Sequence, residues 1–306
     1  MEINGTSVNE SVRYAQLDLS PALMRAIEKK GYVQATPVQA GAIPYFMEWK
    51  DVIAKAPTGT GKTLAFGIPL IEHCDAEKPD IQSLILAPTR ELATQICEDL
   101  KNLTRFLPQL RVVVVYGGQS MERQKQQLKK GAHILVATPG RLLDLMQHRA
   151  VSLKSVTTAV LDEADRMLDM GFVHDVKKVI AKLPAQRQNL MFSATMPAEI
   201  EQLAAGILHD PAFVKVDPVS STVDRIQQSL YYVEKGNKKL LLPWLIKNLQ
   251  PPVVNALVFS RTKHGADKIA KDLNKQGIPA AAIHGNKSQS ARVAALEAAA
   301  EEPPSA

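Results

Sequence analysis

The chain has 306 residues, of which 45% are hydrophobic and 22% charged, a balance typical of folded globular proteins rather than of disordered or fibrous ones. This length allows two domains, and the apolar runs, such as Val112–Val115, are too short to cross a membrane. A net charge of +6 favours a polyanionic partner, although a modestly basic protein without one would look the same. Two cysteines give no disulfide framework, and the first residues carry no signal-peptide pattern, so we expect a cytoplasmic protein.

The first motif along the chain is a phosphate-binding loop at residues 56–63. Its letters A-P-T-G-T-G-K-T fit the pattern G-x-x-x-x-G-K-[ST], except that alanine replaces the first glycine. A strand-like run at 52–54 precedes it and an apolar helix start at 63–71 follows, so backbone N–H groups and a helix N-terminus would surround a polyphosphate. Lys62 would contact the β- and γ-phosphates and Thr63 would bind Mg²⁺, whereas the alternative is a glycine-rich turn without a ligand. The predicted loop residues are Ala56, Pro57, Thr58, Gly59, Thr60, Gly61, Lys62 and Thr63.

Strand-like and helical patterns alternate after this loop. Short apolar runs predict strands at 83–87, 112–116, 134–137, 159–162 and 190–193. Amphipathic segments at 91–106 and 173–183 predict helices between them, and a basic patch with Arg123 lies on another probable helix. Such alternation, with strands that are apolar throughout, indicates an α/β fold with a parallel sheet covered by helices on both faces.

Three carboxylates follow the short apolar run at 158–161, which predicts a buried parallel strand. Asp162, Glu163 and Asp165 would lie at the carboxyl end of that strand, where open α/β sheets bind ligands. Asp162 would hold Mg²⁺ through its water shell, and Glu163 would orient or deprotonate an attacking water. The alternative is an acidic helix N-terminus, which the helix dipole alone would favour. The phosphate-binding loop upstream favours the catalytic interpretation.

A domain boundary is predicted where periodicity fades. Residues 210–222 lack a regular pattern and contain two prolines, so we divide the chain into residues 1–217 and 218–306. In the second part we predict strands at 227–233, 256–259 and 280–283. We predict helices at 238–248, 265–275 and 288–300. This order is that of the first half of a second α/β domain.

Several further motifs occur in the order found in one family. The stretch 31–39, with the preceding residues from 12 on, is similar to the Q motif. The stretch P-T-R-E-L-A at 88–93 is similar to motif Ia, and Gly117–Gly118 is similar to the glycine doublet. T-P-G-R at 138–141 is similar to motif Ib, S-A-T at 193–195 to motif III, L-V-F-S-R-T at 257–262 to motif IV, and Q-S-A-R at 289–292 to the element after it. The chain therefore resembles the DEAD-box ATP-dependent RNA helicases over residues 14–292, and looks closest to their bacterial RhlE-like branch.

The resemblance implies a RecA-like fold, a partial second RecA-like domain, and a nucleotide site for ATP and Mg²⁺. Gln39 would read adenine, Tyr32 would stack on its ring, and Tyr14 would pack from the far side, unless the two tyrosines are core residues. Thr36 belongs to the same Q motif, which spans residues 12–40. Asp165, Ser193 and Thr195 would couple the nucleotide site to domain closure, although Ser and Thr at such a place are also common helix caps.

The resemblance also implies sequence-independent RNA binding through the sugar–phosphate backbone. Hydroxyls, glycine-turn N–H groups and guanidinium groups make such contacts, and an aromatic content of 5% does not support a base-stacking platform. A plain strand-to-helix turn remains the alternative for T-P-G. The residues that the resemblance assigns to RNA are Pro88, Thr89, Arg90, Gly118, Thr138, Pro139, Gly140, Arg141 and Arg261.

The sequence departs from the family pattern after Arg292. Motif V and the arginine-rich motif VI do not occur in these 306 residues, so we expect a second helicase domain that is C-terminally truncated. The leading hypothesis is an ATP- and RNA-binding protein that hydrolyses ATP to remodel RNA, weakened in hydrolysis and unwinding. The alternative is a non-motor module that binds ATP and RNA, and a metabolic P-loop kinase is disfavoured because the motifs at 88–93 and 138–141 would be unexplained. No membrane is expected as a partner, and ribonucleoprotein or RNA-decay partners are not identified by the sequence.

Overall fold

A computed structural model describes residues 6–7, 12–216 and 227–300 of the chain. The chain divides into two compact units, residues 1–222 and 223–306, which we describe separately. The domain boundary predicted at 217/218 falls within residues 217–226, outside the described part, and stays a prediction. Both cysteines are free thiols, and Cys97 is buried. No helix in the described ranges is long and apolar enough to span a bilayer.

The first unit is built on a parallel sheet of eight described strands, which are Thr6–Ser7 (β1), Val52–Lys55 (β2), Ser83–Leu86 (β3), Val112–Val115 (β4), Ile134–Ala137 (β5), Thr158–Leu161 (β6), Gln188–Ser193 (β7) and Ala212–Lys215 (β8). Their order in the sheet is β1-β8-β2-β7-β6-β3-β5-β4. Every strand pair in it is parallel, which confirms the predicted sheet type. Strands β3, β5, β6 and β7 are buried along their whole length, as expected for strands covered on both faces.

Helices follow most of these strands and cover the sheet with two apolar clusters. One cluster contains Phe46, Phe66 and Phe192, and the rings of the last two lie edge to face with centroids 5.2 Å apart. The other contains Leu142, Val179 and Ile200. The helices are Pro21–Lys29 (α1), Pro37–Met47 (α2), Lys62–Glu72 (α3), Arg90–Leu103 (α4), Met121–Lys129 (α5), Pro139–Gln147 (α6), Ala164–Asp169 (α7), Val173–Ile180 (α8) and Ala198–Ala205 (α9).

The strand order separates two groups of carboxyl ends along one edge of the sheet. Strands β2, β7 and β6 are neighbours, and β3, β5 and β4 continue the sheet beyond them. The chain passes from β2 to β3, which is not its neighbour in the sheet, and later adds β6 and β7 between them. The direction of the connections therefore changes between β2 and β3, and carboxyl ends of strands from both sides meet there. Open α/β sheets bind ligands at such points.

The second unit confirms the predicted helices and not the predicted strands. Its helices are Lys238–Asn248 (α10), Lys263–Lys275 (α11) and Gln289–Ala300 (α12), and the Thr262 hydroxyl caps α11 by accepting from the Gly265 N–H at 3.0 Å. The predicted strands at 227–233, 256–259 and 280–283 are wrong, since residues 227–300 contain no assigned strand. A helix satisfies its hydrogen bonds within itself, whereas a strand needs a neighbour, and Phe259 remains 88% exposed.

Candidate nucleotide site and nucleic-acid interface

The phosphate-binding loop connects the end of β2 to the start of α3. Its first residue, Ala56, donates its N–H to the Ser193 carbonyl at 3.0 Å, which ties the loop to the end of β7. Gly61 has φ +87°, and a Cβ there would lie 2.5 Å from the Gln39 amide nitrogen, so this position requires glycine for both reasons. Gly59 also has positive φ, at +84°. The loop therefore turns back in front of the α3 N-terminus, a geometry suited to phosphate.

Lys62 points into this loop rather than into water. It is 6% exposed, and its Nζ donates to the Ala56 carbonyl at 3.1 Å. Its charge also acts on Asp162, where it lowers the pKa against the larger opposing effect of burial. A phosphate bound in the loop would accept the hydrogen bond from Lys62 Nζ in place of the Ala56 carbonyl.

Gln39 connects the Q motif to the phosphate-binding loop. It lies in the first turn of α2, three residues after Thr36, whose N–H donates to Gln39 Oε1 at 2.8 Å, and Gln39 Nε2 donates to the Gly61 carbonyl at 2.9 Å. The hydroxyl of Tyr14 also donates to Gln39 Oε1. Because both acceptor positions of the amide oxygen are used in this structure, adenine would have to replace one of these donors.

The two predicted base-stacking tyrosines have different environments. Tyr32 is 41% exposed, so its ring is available to a ligand. Tyr14 is buried in the core, and burial, with a smaller contribution from Tyr32, raises its pKa to about 12. Tyr14 therefore supports Gln39 in this structure, and its packing on adenine stays a prediction.

The acidic motif occupies the end of β6. Asp162 and Glu163 are both buried, and burial raises the pKa of Asp162 to about 6. Asp162 Oδ1 accepts from the Glu163 N–H at 2.9 Å. Glu163 has φ +51° and ψ +53°, a left-handed conformation that non-glycine residues rarely adopt, and it caps α7. This backbone conformation fixes the direction in which the Glu163 side chain leaves the main chain.

Thr63 and Asp162 are the predicted Mg²⁺ ligands, and their chemistry fits that ion. They offer a hydroxyl and a carboxylate, and Mg²⁺ prefers oxygen ligands, usually one or two carboxylates with phosphates and waters. In the ranges 12–216 and 227–300 no cluster of three or more His, Cys, Asp or Glu side chains forms a metal cage. The two residues would hold Mg²⁺ together with a bound phosphate and waters.

The predicted coupling residues contact one another. The Ser193 hydroxyl accepts from the Asp165 N–H at 3.1 Å, and Thr195 donates both its N–H and its hydroxyl to Asp165 Oδ2 at 2.8 Å. Hydrogen bonding to Thr195 and Ser193 holds the pKa of Asp165 below its usual value although burial acts in the opposite direction. We call the loop at 56–63 with Gln39, Asp162–Asp165 and Ser193–Thr195 the P-loop cluster.

The residues assigned to RNA in the first unit follow β3, β4 and β5. We call the three segments that contain them, 88–90, 117–119 and 138–141, the glycine-doublet cluster. Thr89 caps α4 by accepting from the Leu92 N–H at 3.2 Å. The Arg90 guanidinium lies against Gly118, where φ is +83° and a Cβ would overlap it. Arg141 donates from Nη1 and Nη2 to the Gln119 carbonyl, each at 3.1 Å. Three separate loops are thus joined into one surface.

Exposure within the glycine-doublet cluster differs from residue to residue. Gly118 and Gly140 are exposed, whereas Pro88, Thr138 and Pro139 are buried and position the turns. Arg261, the remaining residue assigned to RNA, is exposed in the second unit.

Two contacts were not predicted from the sequence: the ion pair of Arg166 with Glu163, at 2.7 Å, and the carbonyl of Gln119 as partner of Arg141. The spacing of Glu163 and Arg166, three residues apart on a helix start, is the signal that would have found the first.

Comparison with known proteins finds helicases. The profile of the DEAD/DEAH box helicase family matches residues 36–203. The DEAD-box ATP-dependent RNA helicase CshA of Bacillus licheniformis is 45% identical over 286 residues, which cover 94% of this chain and 58% of that protein. CshA of Geobacillus kaustophilus is 45% identical over 285 residues, which cover 92% of this chain and 60% of that protein.

A solved structure of similar fold is the DEAD box protein of the hyperthermophile Methanococcus jannaschii. It is 36% identical with a TM-score of 0.63, and the match covers 94% of this chain and 77% of that one. This likeness confirms the RecA-like fold class. The chain spans 58% and 60% of the length of the two curated relatives named above. Those relatives carry the name CshA, so the narrower RhlE-like placement stays a prediction.

Proposed function

This chain belongs to the DEAD/DEAH box helicase family, and we propose that it binds ATP with Mg²⁺ and RNA, and hydrolyses ATP to ADP and phosphate to remodel RNA. One observation supports this proposal above the others. Strands β6 and β3 are hydrogen-bonded neighbours, and the Asp162 N–H donates to the Leu86 carbonyl at 3.0 Å. The acids after β6 therefore lie beside the loop after β3 that begins the glycine-doublet cluster.

In the proposed reaction the P-loop cluster holds the nucleotide. Glycine-turn N–H groups and the α3 N-terminus surround the phosphates, and Lys62 exchanges the Ala56 carbonyl for phosphate oxygens. Mg²⁺, held by Thr63 and Asp162 with its waters, would neutralise developing charge on the phosphates. Glu163 accepts a proton from the attacking water, and Gln39 with Tyr32 selects adenine.

The glycine-doublet cluster binds RNA by its backbone. Arg90 and the turn at Gly118 offer donors to phosphates, and hydroxyls such as that of Thr89 suit the 2′-hydroxyl that distinguishes RNA from DNA. These groups read no base edges, so the proposed binding is independent of sequence. A cytoplasmic location is part of the proposal and rests on composition alone.

Residues 1–306 by themselves are proposed to hydrolyse ATP slowly and not to unwind duplexes. In phosphoryl transfer an arginine from outside the phosphate-binding loop is worth about 10³–10⁵ in rate. The family takes that arginine from motif VI, and these 306 residues contain no such motif. The second candidate function, a non-motor module that binds ATP and RNA, is favoured by the same observation.

The two candidates separate in one assay. Phosphate release from ATP is measured for the 306-residue chain with and without single-stranded RNA, together with displacement of a short duplex. We expect slow release that Glu163→Gln lowers to a small residual rate, little stimulation by RNA, and no displacement. Phosphate release by the parent chain equal to that by Glu163→Gln would support the non-motor module. Strong stimulation by RNA or displacement of the duplex would show that another group replaces the motif VI arginine. Failure to bind ATP at all would contradict both.

A further inference from the structure

Arg166 contacts the candidate catalytic base directly. From the first turn of α7, its Nη1 donates to Glu163 Oε2 at 2.7 Å. The Glu163 side chain is 7% exposed, whereas that of Arg166 is 54% exposed. A carboxylate with so little contact with water requires a donor in the protein, and charged donors make the strongest such bonds. Arg166 thus holds a buried carboxylate from the solvent side.

The backbone of Glu163 is fixed on both sides of the side chain. Its N–H donates to Asp162 Oδ1, its carbonyl accepts from the Met167 N–H at 3.1 Å, and its φ of +51° is left-handed. What remains free is rotation about the side-chain bonds of the glutamate. The bond from Arg166 restrains that rotation and so restrains the position of the carboxylate.

This contact leaves the base able to act. A carboxylate has two oxygens with about four acceptor positions, and Arg166 occupies one of them on Oε2. Among the described residues no other hydrogen bond reaches the Glu163 carboxylate, so Oε1 can accept a proton from water. A base held in the orientation required for proton transfer reacts faster than one that must first adopt it.

We propose that Arg166 is a positioning residue for ATP hydrolysis, which orients the Glu163 carboxylate through Oε2 and leaves Oε1 to the attacking water. The inference rests on the proposed function, because it assumes that Glu163 is the base. Arg166 is half exposed and lies on a helix surface, so its replacement should leave the fold intact.

The test uses single-turnover hydrolysis of ATP by excess 306-residue protein, with ATP affinity measured separately. Arg166→Gln should lower the hydrolysis rate about three- to tenfold and leave the ATP Kd within twofold. Arg166→Lys should recover part of the rate, because it keeps the charge with a single donor. Lys78→Gln is the matched control: Lys78 forms a similar i,i+3 ion pair with Asp75, at 2.9 Å, before the start of β3.

A mutant cycle with Glu163→Gln distinguishes positioning from independent action. If Arg166 acts through Glu163, then Arg166→Gln should cause no further loss in the Glu163→Gln background. An equal further loss there, or an Arg166→Gln variant that hydrolyses at or above the parental rate, would overturn the positioning role alone. A parent that hydrolyses no faster than Glu163→Gln would contradict the proposed function and the positioning role together.

Discussion

The P-loop cluster and the glycine-doublet cluster lie on the same edge of one sheet and are built in opposite ways. In the P-loop cluster Gln39, Lys62 and Asp162 are buried, and each already has a partner within the protein. In the glycine-doublet cluster Gly118 and Gly140 are exposed. A ligand of the first cluster must therefore replace existing hydrogen bonds, whereas a ligand of the second can add bonds at its exposed glycine turns, beside the half-buried Arg90 and Arg141.

This difference predicts that the P-loop cluster is specific for its ligand and that the glycine-doublet cluster tolerates different nucleic-acid sequences. Replacing satisfied, buried partners is favourable only for a ligand that supplies equivalent groups in the same geometry, since an unpaired buried group is costly. Glycine turns beside arginine side chains can accept any phosphate backbone, and such binding is weakened by salt. Four substitutions test the contrast, ordered from the largest expected effect to the smallest.

Lys62→Ala should weaken ATP binding roughly 100-fold, because it removes a charge-assisted contact made in a buried site. The measurement is titration calorimetry with ATP and Mg²⁺. Arg90→Ala, in the other cluster, is the matched control and should keep ATP affinity within twofold. If Lys62→Ala bound ATP within threefold of the parent, the assignment of the loop would be wrong.

Asp162→Asn should stabilise the protein at neutral pH by about 1–2 kcal/mol. Burial raises the Asp162 pKa to about 6 in the folded protein, against about 3.9 for an unfolded chain. Between these values the folded state binds more protons, so stability falls as the pH rises through that window, and asparagine avoids the loss. The loss of the Lys62 partner offsets part of the gain.

The measurement for Asp162→Asn is urea unfolding at pH 7.5 and at pH 4. At pH 4 the parent aspartate is already protonated, so the advantage of the variant should disappear. Arg90→Ala should show no such dependence on pH. An equal advantage at both pH values would mean that burial of the charge is not its cause.

Gln39→Ala should reduce the preference for ATP over GTP about tenfold, because a bidentate amide contact discriminates between bases by about 1–3 kcal/mol. It also removes the hydrogen bond to the Gly61 carbonyl, but that loss affects both nucleotides. Affinities for ATP and GTP are measured side by side for parent and variant. Equal affinities in the parent would remove the basis for this role of Gln39.

Arg90→Ala should weaken single-stranded RNA binding about three- to fivefold and lower the slope of log affinity against log salt by about 0.7, the loss of one phosphate contact. Binding is measured by fluorescence anisotropy at several salt concentrations. Lys62→Ala without ATP should leave both quantities unchanged. A salt slope unaltered in Arg90→Ala would place the RNA contact elsewhere.

The sequence predicted the fold of the first unit because its strands are continuous apolar runs. The strand predicted at 134–137 agrees at both ends, and those at 83–87 and 112–116 agree within one residue. Strand β8 was missed, since Ala212–Lys215 is short and lies between two prolines, in a stretch interpreted as a boundary. Its pairing with β2, which no local pattern shows, makes it a strand.

The second unit shows that sequence predicts helices more reliably than strands. Helix α10 was predicted with both ends correct, because helical hydrogen bonds are local. Leu257 and Phe259 have the composition of a buried strand, yet they are exposed, and no described segment pairs with them. Composition shows that a segment is suited to be a strand, but pairing decides whether it becomes one.

Motifs predicted which residues gather at the P-loop cluster but not how they are connected. The position of Gln39 followed from the Q motif, whereas its bonds to Tyr14 and Gly61 depend on a tertiary approach of α2 to the loop. The same holds for Arg141 and the Gln119 carbonyl, which are 22 residues apart in the chain. Such pairs require the packed structure.

The left-handed backbone of Glu163 has a consequence for how this position would change under selection. A glutamate at φ +51° is less stable there than glycine or asparagine, by about 1 kcal/mol or more. Selection for folding alone would therefore drive residue 163 towards those two residues. If residue 163 is the base of the proposed ATP hydrolysis, a descendant chain that no longer hydrolyses ATP should lose this glutamate early and become more stable as it does so.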